Sequence, residues 1–441
     1  MKRLLSLLLC AVLALFCATT AQAAGVSITL TASEYALHYA FDAGAQDPFV
    51  ILEYATPAEK GWMMLYSADG HFEGDVSLAY SGAGGKTSVA LTSARTTGSI
   101  GKASTTLPKA ADYQKPTGKS NAKVTDFMLT ETPEGFHYAF NAAGTDYMLL
   151  YWRSKEQTVT QPVYPDENGH YEGDVISDLT FARTQFTVQV KNGSGSMKKE
   201  ATVRKGYQAP EAPQRQEGRL SGVTVCIDAG HQENGRFVNE PIGPGLSGST
   251  SGKGGMAQGT KTNRRESIVC LEIGMLLRDE LLRQGANVVM TREDQTTFHT
   301  NIERCEIAEA GGAQIMLRLH CNNSSNHSKR GIQVYGPLNS DYAKAVADAD
   351  TYREMGQKLL DAMKTRVGMT LANSTGMVRL NDNYVGNNWA KMMCFLVEMG
   401  YLSNPAEEYL LVTPVYQQWL AEGMADGVYE IAVARGWVQA Q

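Results

Sequence analysis

The hydrophobic rhythm of the chain changes once. Up to about residue 205, apolar and polar residues alternate in short runs such as ITLTAS, FVILEYA, TSVALTS, MLLYW and FTVQVK, and Asp-Gly and Asn-Gly pairs supply hairpin turns. That pattern predicts all-β structure. From Val223 onward, short apolar runs alternate with longer stretches of helical periodicity. This predicts strands over 223–228, 286–291, 313–320, 331–335 and 394–399, and helices over 265–284, 301–310, 341–366 and 414–434. The expected architecture is an α/β sheet domain, preceded by all-β structure.

The β half is internally repeated. HYAFD at 38–42 returns as HYAFN at 137–141, and DGHFEGDV at 69–76 returns as NGHYEGDV at 168–175. Both pairs are 99 residues apart, and one constant offset across two motifs marks a duplicated module. Short strands in units of this length fit small immunoglobulin-like or fibronectin-like sandwiches. The modules are expected over 24–108 and 123–205, joined by a linker at 109–122 rich in Lys, Pro, Gly and Ser. A second linker at 206–220, containing Pro210 and Pro213, precedes the last domain, 221–441. His38, His71, His137 and His170 recur at equivalent places and are read as surface or packing residues, beside turns whose chemistry explains the motif. For Tyr35, Trp62, Tyr66, Tyr147 and Trp152, stacking on sugars and ordinary β packing both stand open.

Ahead of the first β run lie MKR, a Leu-rich run from Leu4 to Phe16, and Ala21-Gln22-Ala23. This is the pattern of a secretory signal peptide over 1–23, with cleavage after Ala23. Its apolar core is too short for a spanning helix, so no transmembrane segment is expected in the mature chain. Phe16 is too bulky a neighbour for lipid anchoring at Cys17. The formal charge is -6, and no basic cluster stands out, which argues against a nonspecific nucleic-acid binder. Five cysteines lie beyond the leader, Cys226, Cys270, Cys305, Cys321 and Cys394, with no CxxC pair among them. They suit buried small side chains better than a disulfide scaffold or a thiolate zinc cluster.

Candidate chemistry lies in the last domain, where four polar residues stand at the ends of apolar segments or inside them. His231 closes VCIDAGH and His320 closes IMLRLH, so both are expected at strand C-terminal ends, where loops of an open α/β sheet converge. Glu266 opens a helix, where an acidic side chain also suits the helix dipole. Glu398 interrupts the apolar strand FLVEMG, and a buried carboxylate needs either a partner or a raised pKa. Arg318 and Arg379 are the candidate partners. A His, Glu, His set suits Zn2+ with one open position, while capping and packing roles remain for each residue taken singly. His299 and His327 sit in polar turn regions and are assigned structural or solvent roles. Asn322, Arg379 and Asn381 could line a cleft, or serve as a cap, an ion pair and an Asx turn.

These residues carry a family resemblance. VCIDAGHQ, RRESIVCLEIG, VVMTRED, ERCEIAEAGGAQIMLRLHCNN and FLVEMGYLSNPAEEYLL follow in order, and over about 222–435 the chain resembles the zinc-dependent N-acetylmuramoyl-L-alanine amidases of bacterial cell walls. The resemblance implies a twisted mixed sheet between helices, one Zn2+ held by His231, Glu266 and His320, and Glu398 as the catalytic carboxylate. It implies peptidoglycan and muropeptides as substrates, cut at the lactyl–L-alanine amide, and a secreted or cell-wall-associated bacterial protein. The β modules are then expected to bind a cell-wall surface ligand or a protein partner. Ala229, Gln232 and Cys321 depart from the residues common in the family, which often has Pro, Gly and Ala there. The Gly-rich stretch 235–262 suits either a mobile cleft wall or an ordered loop. A noncatalytic wall-binding protein and a zinc peptidase acting on stem peptides are the competing readings.

Overall fold

The computed structural model describes the chain apart from residues 1–17, 23–25, 95, 97, 121, 133–134, 155–156, 177–184, 205–209, 233–237, 251–254, 368–376 and 441. Most of the expected leader and its cleavage point lie outside the described residues. The chain forms two compact units that divide at residues 205 and 206. Among the described residues no helix is long and apolar enough to cross a membrane.

The first unit is all β. Within the expected leader, β1 (Ala18–Gln22) pairs antiparallel with β2 (Ser27–Ala32), and the first repeat contains β2, β3 (Ala36–Asp42), β4 (Phe49–Ala55), β5 (Glu59–Tyr66), β6 (His71–Ser77), β7 (Gly85–Ser93) and β8 (Ser99–Leu107). The second contains β9 (Thr125–Thr132), β10 (Gly135–Asn141), β11 (Met148–Arg153), β12 (Gln157–Val163), β13 (His170–Ile176), β14 (Gln185–Lys191) and β15 (Met197–Arg204). Each repeat buries an alternating apolar face between two sheets, as the period-2 pattern requires. Leu37, Tyr39 and Phe41 of β3 pack with Leu52, Val89 and Leu91, and Phe136, Tyr138 and Phe140 of β10 pack with Leu150, Trp152 and Val188.

One feature was not legible in the sequence. Strands of both repeats belong to a single eight-stranded sheet, ordered β15-β14-β11-β12-β5-β4-β7-β8. The join is antiparallel pairing of β12 with β5, Gln157 opposite Gly61 and Val159 opposite Glu59. Gln157 Nε2 donates to Glu59 Oε2 at 3.0 Å across it, which satisfies a carboxylate that is only 2% exposed.

The second unit is α/β. Its strands are β16 (Thr224–Ala229), β17 (Asn287–Met290), β18 (Ile315–Asn322), β19 (Gln333–Gly336), β20 (Met377–Leu380) and β21 (Met393–Tyr401). Its helices are α1 (Glu266–Arg283), α2 (Asn301–Ala310), α3 (Asp341–Val346), α4 (Ala349–Val367), α5 (Val385–Trp389), α6 (Glu407–Leu411) and α7 (Pro414–Ala434). The sheet order is β17-β16-β18-β21-β19-β20. Pairing is parallel from β17 to β21, antiparallel between β21 and β19, and parallel again to β20, so the sheet is mixed. The helix expected over 341–366 is two helices. Ala347 is extended, and Asp348 then caps α4 by accepting from Thr351 N at 2.7 Å, so the chain restarts rather than continues.

Candidate metal centre

Parallel strands β16 and β18 lie side by side, and each delivers one histidine to the same end of the sheet. His231 follows β16 by two residues, and His320 lies near the end of β18. Glu266 is the first residue of α1 and reaches between them: its Oε1 stands 3.1 Å from His231 Nε2 and 3.0 Å from His320 Nδ1. Ligand atoms of these three residues all lie within 4.8 Å of one another. The two rings meet edge to face, with centroids 4.9 Å apart.

The backbone around this group is tightly constrained. A Cβ on Gly230 would stand 2.4 Å from Leu319 O and 2.6 Å from the His320 ring, so only glycine lets β16 pass this close to β18. His231 follows with φ 57, a left-handed conformation that costs a non-glycine residue and is held here by its surroundings. Arg292 supplies much of the hold. It is 3% exposed and donates to Ala229 O at 2.7 Å, Gly230 O at 2.9 Å and Ser267 O at 2.7 Å, tying the segment before His231 to the first turn behind Glu266. Arg304 donates to Ala229 O, to His231 O at 3.2 Å and to the side chain of Gln232. Gln232, one of the departures from the family pattern, therefore helps to fix the turn.

Glu266 is 3% exposed. Its Oε1 also accepts from Cys321 N at 3.0 Å, and its Oε2 accepts from Ala257 N at 2.7 Å. Burial pushes its carboxyl up, but hydrogen bonds and charge from the two imidazoles outweigh this and hold it well below the usual carboxylate range. Burial pushes the His320 imidazole down, toward the neutral form that offers a lone pair.

Glu398 sits on β21 directly opposite His320 in the strand register. Its Oε2 is buried with no hydrogen-bond partner, and so is His320 Nε2. Burial, and then the charge of Glu266, push the Glu398 carboxyl up to about 8. Burial, with a smaller contribution from the Glu398 charge, pushes the phenols of Tyr335, Tyr384 and Tyr401 up.

Neither arginine expected beside Glu398 pairs with it. Arg318 Nε donates to Asp228 Oδ2 at 2.9 Å, because Arg318 faces Asp228 in the β16–β18 register, two residues short of His320. Arg379 is exposed on β20, beside Tyr335 in register. Asp228, Arg292 and Arg304 were missed as supports of the site. The signal available for Asp228 was the one used for Glu398, a charge inside an apolar strand. Asn322 Nδ2 reaches Gln333 Oε1 at 3.3 Å, and Asn381 Oδ1 accepts from Asn383 N at 2.9 Å as an Asx turn. His299 and His327 act through backbone carbonyls, which accept from Arg304 and Asn404. Among the described residues, the five cysteines are buried free thiols. Of the Gly-rich stretch, residues 238–250 include an ordered anchor: Glu240 accepts from Asn301 N at 3.2 Å and Ile302 N at 2.8 Å at the start of α2.

The donor set fits zinc. Two imidazole nitrogens and one carboxylate oxygen converge, and a buried carboxylate beside them has no partner of its own. A sequence profile described as N-acetylmuramoyl-L-alanine amidase matches residues 225–430, the span that holds all four residues. Residues 225–430 belong to the N-acetylmuramoyl-L-alanine amidase family. The chain is 26% identical over 231 residues to the germination-specific N-acetylmuramoyl-L-alanine amidase of Bacillus subtilis, covering 49% of this chain and 83% of that protein. It is 27% identical over 218 residues to the probable cell wall amidase LytH of Staphylococcus aureus, covering 48% of this chain and 60% of LytH. Among solved structures, the N-acetylmuramoyl-L-alanine amidase of Clostridium difficile aligns at a TM-score of 0.38 and 24% identity, over 48% of this chain and 96% of that one.

Arg292→Lys is the test of the amidase domain's turn. Lysine keeps the charge and loses the fork that reaches four carbonyls, those of Ala229, Gly230, Ser267 and Asp294. Supporting groups of this kind are typically worth about 10- to 100-fold in metal affinity. A weakening of that size in chelator competition is expected, and unchanged affinity would show that Arg292 only packs.

Proposed function

We propose that the C-terminal domain is a zinc-dependent hydrolase of peptidoglycan. It cuts the amide between the lactyl group of N-acetylmuramic acid and the L-alanine that heads the stem peptide. The observation that carries this reading is the convergence of His231, Glu266 and His320 beside the unpartnered Glu398 carboxylate, in a domain of this family. Zinc held by those three ligands would supply Lewis acidity toward the scissile carbonyl and an acidified water. The rest falls to the chain. Glu398 takes a proton from the attacking water and returns it to the departing alanine nitrogen, and a carboxyl near neutrality suits a group that must do both. Glu266 and the Arg292 and Arg304 clamps hold the imidazoles in place for that exchange.

Digestion of muropeptides followed by mass analysis tests the bond. A free lactyl carboxylate together with a new N-terminal L-alanine is the expected result. Cleavage inside the stem peptide would support a zinc peptidase, and no product at full zinc loading would support a wall-binding protein.

In the same reading the chain is exported by the leader at 1–23, and the two β modules retain it at the wall. Two weak contacts on one chain raise retention through effective concentration. Deleting residues 24–205 should weaken binding to whole cell walls more than it slows cleavage of a small soluble muropeptide, at matched zinc content. Equal retention by both forms would reject the targeting role.

A further inference from the structure

Resting on the amidase reading of the metal centre, we propose that Arg379 selects the stem peptide. It pairs with a free carboxylate on the residue after the L-alanine, at the end of a strip of sheet that runs from Glu398 across Gln333 and Tyr335. The sheet order gives the direction. β16 and β18 bring the two histidines, β21 brings Glu398, and β19 and β20 lie beyond it. The acyl carbonyl belongs at the ligand group, and the departing nitrogen at the carboxyl that returns its proton. The leaving peptide therefore continues past Glu398, over β19 and β20.

Strand register shows what it meets there. Gln333 lies opposite Glu398 and Tyr335 opposite Leu396, and Arg379 lies opposite Tyr335 in turn. Directly paired residues share a face, so Glu398, Gln333, Tyr335 and Arg379 all sit on one side of the sheet. The other side belongs to α4. A Cβ on Gly356 would stand 2.7 Å from Val378 Cγ1 and 3.2 Å from Phe395 Cε1, the residues that alternate with Arg379 and Leu396.

The strip is firm up to its last residue. Tyr335 is 9% exposed, its hydroxyl donates to Gln333 Oε1 at 2.5 Å, and Asn322 Nδ2 donates to the same oxygen. Tyr384 packs on the Tyr335 ring with centroids 5.1 Å apart, and Asn387 Nδ2 donates to Tyr335 O at 2.8 Å. Burial, then the Glu398 charge, push the Tyr335 phenol up while the Arg379 charge opposes them, so both charges act on this one ring. Arg379 itself is different. It is exposed, and among the described residues no hydrogen bond or ion pair holds its guanidinium. Arg219, Arg264, Arg278, Arg304, Arg318 and Arg366 of the same domain all end on carboxylates. A planar fork left open at the end of a fixed floor suits a ligand carboxylate.

Reach agrees. Neighbouring strands lie about 4.8 Å apart and Arg379 is offset by two residues along its strand, so its backbone is roughly 12 Å from that of Glu398. Two residues of extended peptide span about 7 Å, and an outstretched arginine side chain covers the remainder.

Two soluble N-acetylmuramoyl peptides that differ only in a carboxylate or a carboxamide on the second residue decide it, with the zinc-loaded full-length protein. Wild type should cut the carboxylate form with a kcat/KM higher by roughly 10- to 100-fold, the worth of a charge-assisted pair. Arg379→Gln should bring that value down to the carboxamide's, through KM at an unchanged kcat, and leave the carboxamide substrate as it was. Equal kcat/KM for the two substrates in wild type, a preference that survives the substitution, or an equal loss on both substrates overturns the proposal, while cleavage of the lactyl–alanine bond by wild type keeps the amidase reading. No cleavage at that bond by wild type overturns both.

Discussion

Glu398→Gln should retain its zinc and lose about 10²- to 10⁴-fold in turnover, the range by which a positioned acid–base group accelerates a reaction. The amide keeps the shape of the side chain but cannot cycle a proton. The substitution also has a favourable structural context, because Glu398 Oε2 has no hydrogen-bond partner to lose. His231→Ala gives the contrast: it removes one of three converging ligand groups, so metal and turnover should fall together. Metal content and rate measured on both variants separate proton transfer from chelation. Near-normal turnover by Glu398→Gln at unchanged zinc would remove the role assigned to Glu398.

His231, Glu266 and His320 stand out in the sequence because each lies where the apolar pattern predicts a strand end or a helix start, and Glu398 because it interrupts an apolar strand. The longer elements were legible for the same reason. Helix α2 carries a capping box between Thr300 and Glu303, and α7 opens on Pro414, so their ends are written locally. Short elements such as β20, α5 and α6 span too few residues for a period to show. Tertiary choices left no local mark. The partner of Arg318 is decided by which strand lies beside β18, and the union of the two repeats depends on edge pairing between residues nearly a hundred positions apart. The outward histidines were visible as a repeat, but only the register shows that they share a face with glutamates.

Asp228→Asn should destabilise the C-terminal domain by about 3–5 kcal/mol, the cost of breaking a buried ion pair from one side. Asp228 is fully buried and bridges two buried arginines, with Arg304 on Oδ1 and Arg318 Nε at 2.9 Å from Oδ2, and Thr291 also donates to it at 2.8 Å. Asparagine leaves both guanidinium groups facing a neutral amide in a dry interior. For a domain of this size the loss corresponds to a Tm lower by roughly 6–20 °C. Acid separates charge from packing. Burial pushes the Asp228 carboxyl up, but the two arginines outweigh it and hold the group below the usual carboxylate range. Its contribution is therefore present above the unfolded value of about 4 and is lost as pH falls below it. The gap between wild type and variant should narrow in that direction. A gap that stays constant from neutral pH to acid would mean that Asp228 serves by shape alone, and a loss under about 1 kcal/mol would mean that water reaches the two arginines.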